Sequence, residues 1–492
     1  MPSHDRRLYT AAQVRDFDRH AIDVIGIDGY TLMQRAAQGA WQLLAARWPQ
    51  AQRIVVACGP GNNGGDGFEL AAIAVRAGRK VTVLAVSESS SGDAGKARQA
   101  CIDAGVPVKV LGKDADVALP TADVLVDALF GTGLSRAPEG LPKRLIEAIN
   151  AHSAPVLALD IPSGLAADSG AMLGATVKAA VTPTFVAHKR GLFTAKGADC
   201  AGERHLFSLD IPESARAQHA PDAMLMALPT LPRRDFDSHK GAHGHVLCIG
   251  GDHGTSGAIR MTGEAALRTG AGLVSIATRS DNLLPIGAAR PELMAHAVDD
   301  VGALKALLDK ASVLALGPGL GQGDWGRSLW HRAIDSGLPL VLDADGLNLL
   351  ASAPRALHED TILTPHPGEA ARLLDTDTAS IQADRFNAVR QLASRYHAVA
   401  VLKGAGSLVA DPQGRVAVCP WGNPGMASGG MGDLLTGVIA ALRAQHLSAW
   451  EAAVTGVAAH ARAGDVAARN GERGLIATEL LAPLRAEVNR HD

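Results

Sequence analysis

The sequence predicts an α/β protein of two doubly wound α/β domains, each a largely parallel sheet covered by helices on both faces. Three observations predict it. Apolar strand-like runs alternate with helical patterns along most of the chain, the pattern of βαβ units. At 492 residues the chain is too long for one ordinary core. The alternation lapses in PESARAQHAPDAM, residues 212–224, which has no clean period and reads as an interdomain connection. The expected division is a first domain over 1–216, a linker over 217–226 and a second domain over 227–492.

In the first half, a long amphipathic stretch runs over residues 10–47. Strand-like runs follow at RIVVACG (53–59), KVTVLAV (80–86), PVKVL (107–111), ADVLVDALFG (122–131), APVLALDIPSG (154–164) and AAVTPTFVA (179–187). The second half has its own series: GHVLCIGG (244–251), GLVSIAT (272–278), SVLALGPGLG (312–321), PLVLDADGLN (339–348), TILTPHPGE (361–369), AVAVLKGAGSLVA (398–410) and RVAVCP (415–420). Two helices near 433–444 and 448–469 close the chain.

Composition excludes several classes. Formal net charge is −3, with 47 Lys and Arg against 50 Asp and Glu. Nothing there suggests a nucleic-acid or membrane-surface partner. Aromatic residues make up 3%, too few for a single-strand stacking platform. The five cysteines form no C-x-x-C pair, so reduced core thiols are expected. No secretory h-region or membrane-length apolar run is visible, and a cytoplasmic protein is expected.

Residues 59–67, GPGNNGGDG, follow a strand-like run and open a helical one. Gly59, Gly61 and Gly64 satisfy the dinucleotide fingerprint, and Glu88 falls about where a ribose-binding acid belongs. Asn62, Asn63 and Asp66 do not belong to that fingerprint. Other strand ends deliver Asp127, the segment GTGLSRA (131–137), Asp160 and Ser163 to the same edge, where doubly wound sheets bind ligands. Turn formation explains most such residues taken singly. It explains Asp127 and Asp160 less well, because a carboxylate within an apolar strand needs a partner. Asn63, Asp127 and Ser163 supply oxygen donors of the kind hard cations prefer.

GPGNNGGDG, DALFGTGLSR (127–136), DIPSGLAADSG (160–170), YTAAQVRDFDRHAI, LMQRAA (32–37) and TFVAHKRGL (184–192) together resemble the N-terminal domain of the NAD(P)H-hydrate repair enzymes. The one small departure is LMQRAA, where LMERAG is commoner; it lies outside the ligand motifs. The resemblance implies a Rossmann-like epimerase that interconverts R- and S-NAD(P)HX. By matching motif, Asn62, Asn63, Gly64, Gly65 and Asp66 would hold the hydrate. So would Gly131, Thr132, Gly133, Leu134, Ser135, Arg136 and Ala137. Asp160 would contact the ring and move the proton. Asn63, Asp127 and Ser163 would bind potassium. The chemistry suits these residues: the ring nitrogen lone pair expels the hydroxyl or opens the ring, and one carboxylate shuttles the proton.

In the second half, GNPGMASGGMGD (422–433) places glycine-rich backbone before a helix with Asp433 at its start. Free N–H groups there face an anion, and a carboxylate beside them can deprotonate a hydroxyl. An N-cap aspartate is the plainer alternative. The motif is similar to the anion hole of the ribokinase superfamily. With residues 239–275, RPELM (290–294), GPGLG (317–321), DADGLNLLA (343–351), TPHPGEAARLL (364–374) and VLKGAGSLVA (401–410), the half resembles the nucleotide-dependent NAD(P)H-hydrate dehydratases. The resemblance implies hydrate contacts from Ala258, Gly319, Gly321 and His366. It implies nucleotide contacts from Lys403, Gly404, Ala405, Gly406, Ser407 and Gly432, and activation of the hydrate hydroxyl by Asp433. ADP with Mg2+ is the expected cosubstrate, NADHX and NADPHX the substrates, and a homo-oligomer the expected assembly. His366 between prolines could instead simply order a turn, and Lys403 could be a solvated strand-end lysine.

Two other readings compete. A small-molecule vitamin or sugar kinase with a non-catalytic first domain shares the anion hole and Asp433, but TPHPGE and DADGLN favour the dehydratase. A non-enzymatic scaffold is disfavoured by intact Asp127, Asp160 and GPGNNGGDG.

Overall fold

The computed structural model describes residues 5–114, 117–227 and 231–490. The chain divides into two compact units, residues 1–223 and 224–492.

The first unit opens with β1 (Arg7–Tyr9) and the helices α1 (Ala11–Asp23) and α2 (Gly29–Arg47). The amphipathic stretch read as continuous is thus broken. Gly26 takes φ +81 in the break, and Asp28 starts α2 by accepting from the Thr31 amide at 3.1 Å. Then come β2 (Arg53–Cys58), α3 (Asn62–Arg76), β3 (Lys80–Ala85), α4 (Gly92–Asp103), β4 (Val108–Val110), β5 (Val124–Ala128), α5 (Gly140–Ala151), β6 (Val156–Ala158), β7 (Val181–Phe185), β8 (His188–Lys189) and β9 (Glu203–Phe207). Seven of these strands form a sheet in the order β4-β3-β2-β5-β6-β7-β9, and every pairing in it is parallel. Strand β1 pairs in parallel with β8.

Alternation along the strands separates two cores. Ile54 and Val56 of β2 pack with Phe17, Leu32 and Phe68. Val55 and Ala57 pack with Leu125, Leu145 and Ile146 on the opposite face. The sheet reverses direction of winding between β2 and β5, so the loops after these strands open a crevice at their carboxyl ends.

The second unit contains β10 (Ala223–Leu225), β11 (His245–Ile249), β12 (Leu273–Thr278), β13 (Met294–Ala297), β14 (Val313–Leu316), β15 (Leu340–Leu342), β16 (Thr361–Leu363), β17 (Val399–Leu402), β18 (Leu408–Ala410) and β19 (Val416–Val418). Their order is β13-β12-β11-β14-β15-β16-β17-β18-β19-β10. The ladder is parallel except for β18, which is antiparallel to both neighbours. Strand β10 falls within the segment read as a linker and pairs Met224 with Ala417. Helices Ser256–Thr269, Met431–Ala444 and Ala449–Ala467 cover one face. Their approach is close: a Cβ on Gly437 would lie 2.0 Å from the Thr262 carbonyl oxygen.

The five cysteines are free and buried. Among the described residues, no helix is long and apolar enough to cross a membrane.

Candidate active sites

The first site lies at the carboxyl ends of β2, β5 and β6. The turn from β2 into α3 is tight because a Cβ on Gly64 would meet the Gly59 carbonyl oxygen at 1.9 Å. No side chain caps α3, so its first amides are available to a ligand. A cavity of about 620 Å³ opens there, lined by Arg15, Asp18, Asn62, Asn63, Asp66, residues 129–136, Asp160 and Lys189. Gly64, Gly65 and Ala137 are not on its wall. The first two pack inward, on Gly59 and Met33. Glu88 lies exposed, away from the cavity.

Asp160 sits at φ +66. Its amide donates to the Pro183 carbonyl at 2.8 Å. One carboxylate oxygen, Oδ1, accepts from the Phe185 amide at 3.1 Å and the Thr184 hydroxyl at 3.5 Å, and forms a short ion pair with Lys189. Lys189 is 1% exposed. It also donates to Thr184 Oγ1 at 3.0 Å and the Phe185 carbonyl at 2.7 Å. Burial pushes the Asp66 carboxyl well above its usual range, and the neighbouring Asp160 and Asp18 add to the rise. Burial also raises Asp18, to about 6, against the pull of Lys189.

Beneath this wall, buried Asp127 accepts from Ser163 Oγ at 2.6 Å, the Ser163 amide at 2.8 Å and the Leu129 amide at 3.2 Å. Burial lifts its carboxyl to about 6 despite those bonds. Asn63 is 8% exposed, and both its amide oxygen and nitrogen are buried without a partner. An orphaned amide at the edge of a ligand cavity calls for an absent group.

The second site assembles around Asp343, at the end of β15. Its side chain, 2% exposed, accepts from Lys403 Nζ at 2.7 Å and from Thr436 Oγ1 at 2.7 Å. Glu369 Oε2 lies 3.8 Å from the same ammonium. Burial lowers the Lys403 pKa, but the Asp343 and Glu369 carboxylates outweigh it and hold the ammonium above its ordinary value. A Cβ on Gly432 would lie 3.2 Å from Lys403 Nζ, so a side chain there would press on the ammonium. Asp433 stands in the first turn of Met431–Ala444, whose N-cap Gly430 has φ +89 and offers no capping side chain. Burial and nearby Asp343 push the Asp433 carboxyl up to about 6, with Lys403 opposing.

His366 is the N-cap of helix Pro367–Leu374 and forms a capping box with Glu369. Its Nδ1 accepts from the Gly368 amide at 3.0 Å, and its Nε2 lies 3.4 Å from Glu369 Oε1. The turn-forming role foreseen for this histidine is real. Residues 404–407 form the turn between β17 and β18, where Ser407 Oγ donates to the Gly404 carbonyl at 2.9 Å.

Ala258, Gly319 and Gly321 connect to helices Ser256–Thr269 and Ala344–Ser352. Ala258 lies in the first turn of helix Ser256–Thr269. Just before that helix, Thr255 Oγ1 donates to the Gly319 carbonyl at 2.8 Å. The Gly321 amide donates to Asp345 at 2.9 Å. One helix start thus serves both groups, through Asp343 and Asp345.

Sequence reasoning left out Asp18, Lys189, Asp343 and Glu369 as site residues. Each lay in a stretch quoted for its pattern; for Lys189 and Asp343 the available signal was a charged residue inside or directly after an apolar run.

Comparison with known proteins matches both halves of the chain. Residues 246–485 match the family model described as NAD(P)H-hydrate dehydratase, and residues 29–191 match YjeF-related protein N-terminus. The bifunctional NAD(P)H-hydrate repair enzyme Nnr of Coxiella burnetii is 48% identical, covering 98% of this chain and 99% of the relative. The Escherichia coli enzyme of the same name is 45% identical, over 98% of this chain and 94% of the relative.

The chain belongs to the bifunctional NAD(P)H-hydrate repair enzymes. Its first unit is the epimerase half and its second the dehydratase half. A solved ADP/ATP-dependent NAD(P)H-hydrate dehydratase from Bacillus subtilis is 30% identical, covering 52% of this chain and 93% of that one, with a TM-score of 0.48. The full-length family match sets aside the vitamin-kinase and scaffold readings.

Proposed function

We propose that Asp160 is the acid–base group of the epimerase half, and that Asp433 activates the hydrate hydroxyl in the dehydratase half, with ADP as phosphoryl donor. The observation that carries the second assignment is the partly buried Asp433 in an uncapped, glycine-led helix start beside Lys403 and Asp343. Asp433 takes the hydroxyl proton as the hydroxyl oxygen bonds to the β-phosphorus and the bond to AMP breaks. The uncapped amides and Lys403 meet the charge that develops on the phosphoryl oxygens. The ring nitrogen lone pair then expels phosphate, and loss of a proton from the neighbouring carbon restores the double bond of NAD(P)H. Phosphate leaves far more readily than hydroxide, which is why a nucleotide is consumed.

High identity to bacterial fused enzymes supports ADP over ATP. The hydrate is held through Ala258, Gly319, Gly321 and His366. ADP is held through Lys403, residues 404–407 and Gly432, with Mg2+ neutralising its phosphates. In the epimerase half, orphaned Asn63, buried Asp127 and Ser163 are an oxygen set suited to potassium, whose charge would order the floor of the site. Supplying purified S-NADHX with ADP or with ATP, and following NADH absorbance, tests the assignment. NADH formation with ATP but not ADP would overturn the choice of donor.

A further inference from the structure

The epimerase cavity holds more carboxyl groups than a one-residue proton shuttle needs. Asp160 is fixed on one side only: its carboxylate contacts all reach Oδ1, and Oδ2 has no hydrogen-bond partner among the described residues. Asp18 lines the same cavity from α1 and Asp66 from α3, and neither makes a hydrogen bond or ion pair among the described residues. A single buried ammonium, Lys189, serves all three, and it is bonded to Asp160. Arg15, Asp93 and Arg136 complete the charged lining.

Three carboxylates around one cation in a partly dry site do not all ionise together. Paired carboxyl groups whose surroundings separate their protonation states divide acid and base work between them.

We infer that Asp18 delivers the proton to the departing hydroxyl while Asp160, held by the positioning residue Lys189, takes the proton of the incoming water. This rests on the epimerase reading of Asp160 given above. The Asp18 O–H bond breaks as its proton passes to the ring hydroxyl. The C–O bond breaks with its electron pair, releasing water, and the ring nitrogen lone pair forms the iminium. The Asp160 carboxylate faces that cation. Water adds to the opposite face and loses its proton to Asp160, and proton exchange through the cavity solvent restores the starting state. No oxidant, reductant or nucleotide is consumed. An acidic floor suits a cationic intermediate, and leaves the pyrophosphate to the α3 amides and the arginines.

The test uses the full-length chain and follows exchange of purified R- and S-NADHX, with ADP-dependent dehydration of S-NADHX as the folding control. Asp18→Asn should lower kcat for exchange by about 100-fold, with KM within about twofold, and should remove the alkaline fall of the pH–rate profile. Lys189→Met should lower kcat for exchange with KM little changed, because Asp160 Oδ1 loses the ammonium that holds it; Lys189→Arg should restore most of the rate. Asp18→Asn retaining more than half the exchange rate, or Lys189→Met leaving kcat unchanged, overturns the inference. Full exchange by Asp160→Asn overturns the underlying reading instead.

Discussion

Asp433 offers the sharpest residue-scale prediction. Asp433→Asn keeps the shape and removes the base, so ADP-dependent loss of S-hydrate should fall by at least about 100-fold while R/S exchange continues. Because burial lifts this carboxyl to about 6, wild-type dehydration should climb as pH rises through that value and the base ionises. A rate flat across that range would contradict the role. Asp433 was legible in the sequence because glycine-rich backbone preceded it. Asp343 was less so: its importance comes from bonding Lys403 and Thr436, residues 60 and 93 positions away, and no local pattern encodes such a meeting. Lys189 was missed because a lysine after an apolar strand ordinarily reaches solvent, and Asp18 because a carboxylate on an amphipathic helix ordinarily does too.

At the level of elements, the turn from β2 into α3 depends on Gly64. A methyl group there would lie 1.9 Å from the Gly59 oxygen, so Gly64→Ala should destabilise the protein by about 1–3 kcal/mol, read from denaturant unfolding. The N-cap at His366 separates two roles. His366→Asn retains a capping acceptor, whereas His366→Ala costs about 1 kcal/mol of helix stability. If Asn restores stability but KM for the hydrate stays raised, the imidazole also contacts ligand; an unchanged KM would confine it to capping. Continuous apolar runs make most central strands readable from sequence alone. Strand β13, Met-Ala-His-Ala, escaped because its residues are partly exposed and show no apolar run. Strand β9 escaped for a similar reason, with polar Glu203, Arg204 and His205 at its start. Both stand at the margins of their sheets, where one neighbour suffices and burial imposes less on composition.

For the whole molecule, the two chemistries should be separable. Asp160→Asn should slow exchange of epimers by about 100-fold or more and leave dehydration of pure S-hydrate unchanged. Equal loss of both activities would sink the division of labour. Replacing potassium with a bulky organic cation should weaken epimerisation alone, measured on the same preparation, and no effect would remove the ion from the Asn63 site. The segment without periodicity hid β10, because three residues are too few to show alternation.

The left-handed backbone at Asp160 limits what can ever replace it. Beyond glycine, asparagine and aspartate are the side chains that tolerate this conformation readily, and of these only aspartate carries a negative charge. Glutamate has the charge but takes this backbone at a cost of about 1–2 kcal/mol, and asparagine keeps the backbone but forfeits the charge. Sequence drift at this position therefore favours asparagine, which empties the site of its charge while leaving the fold intact.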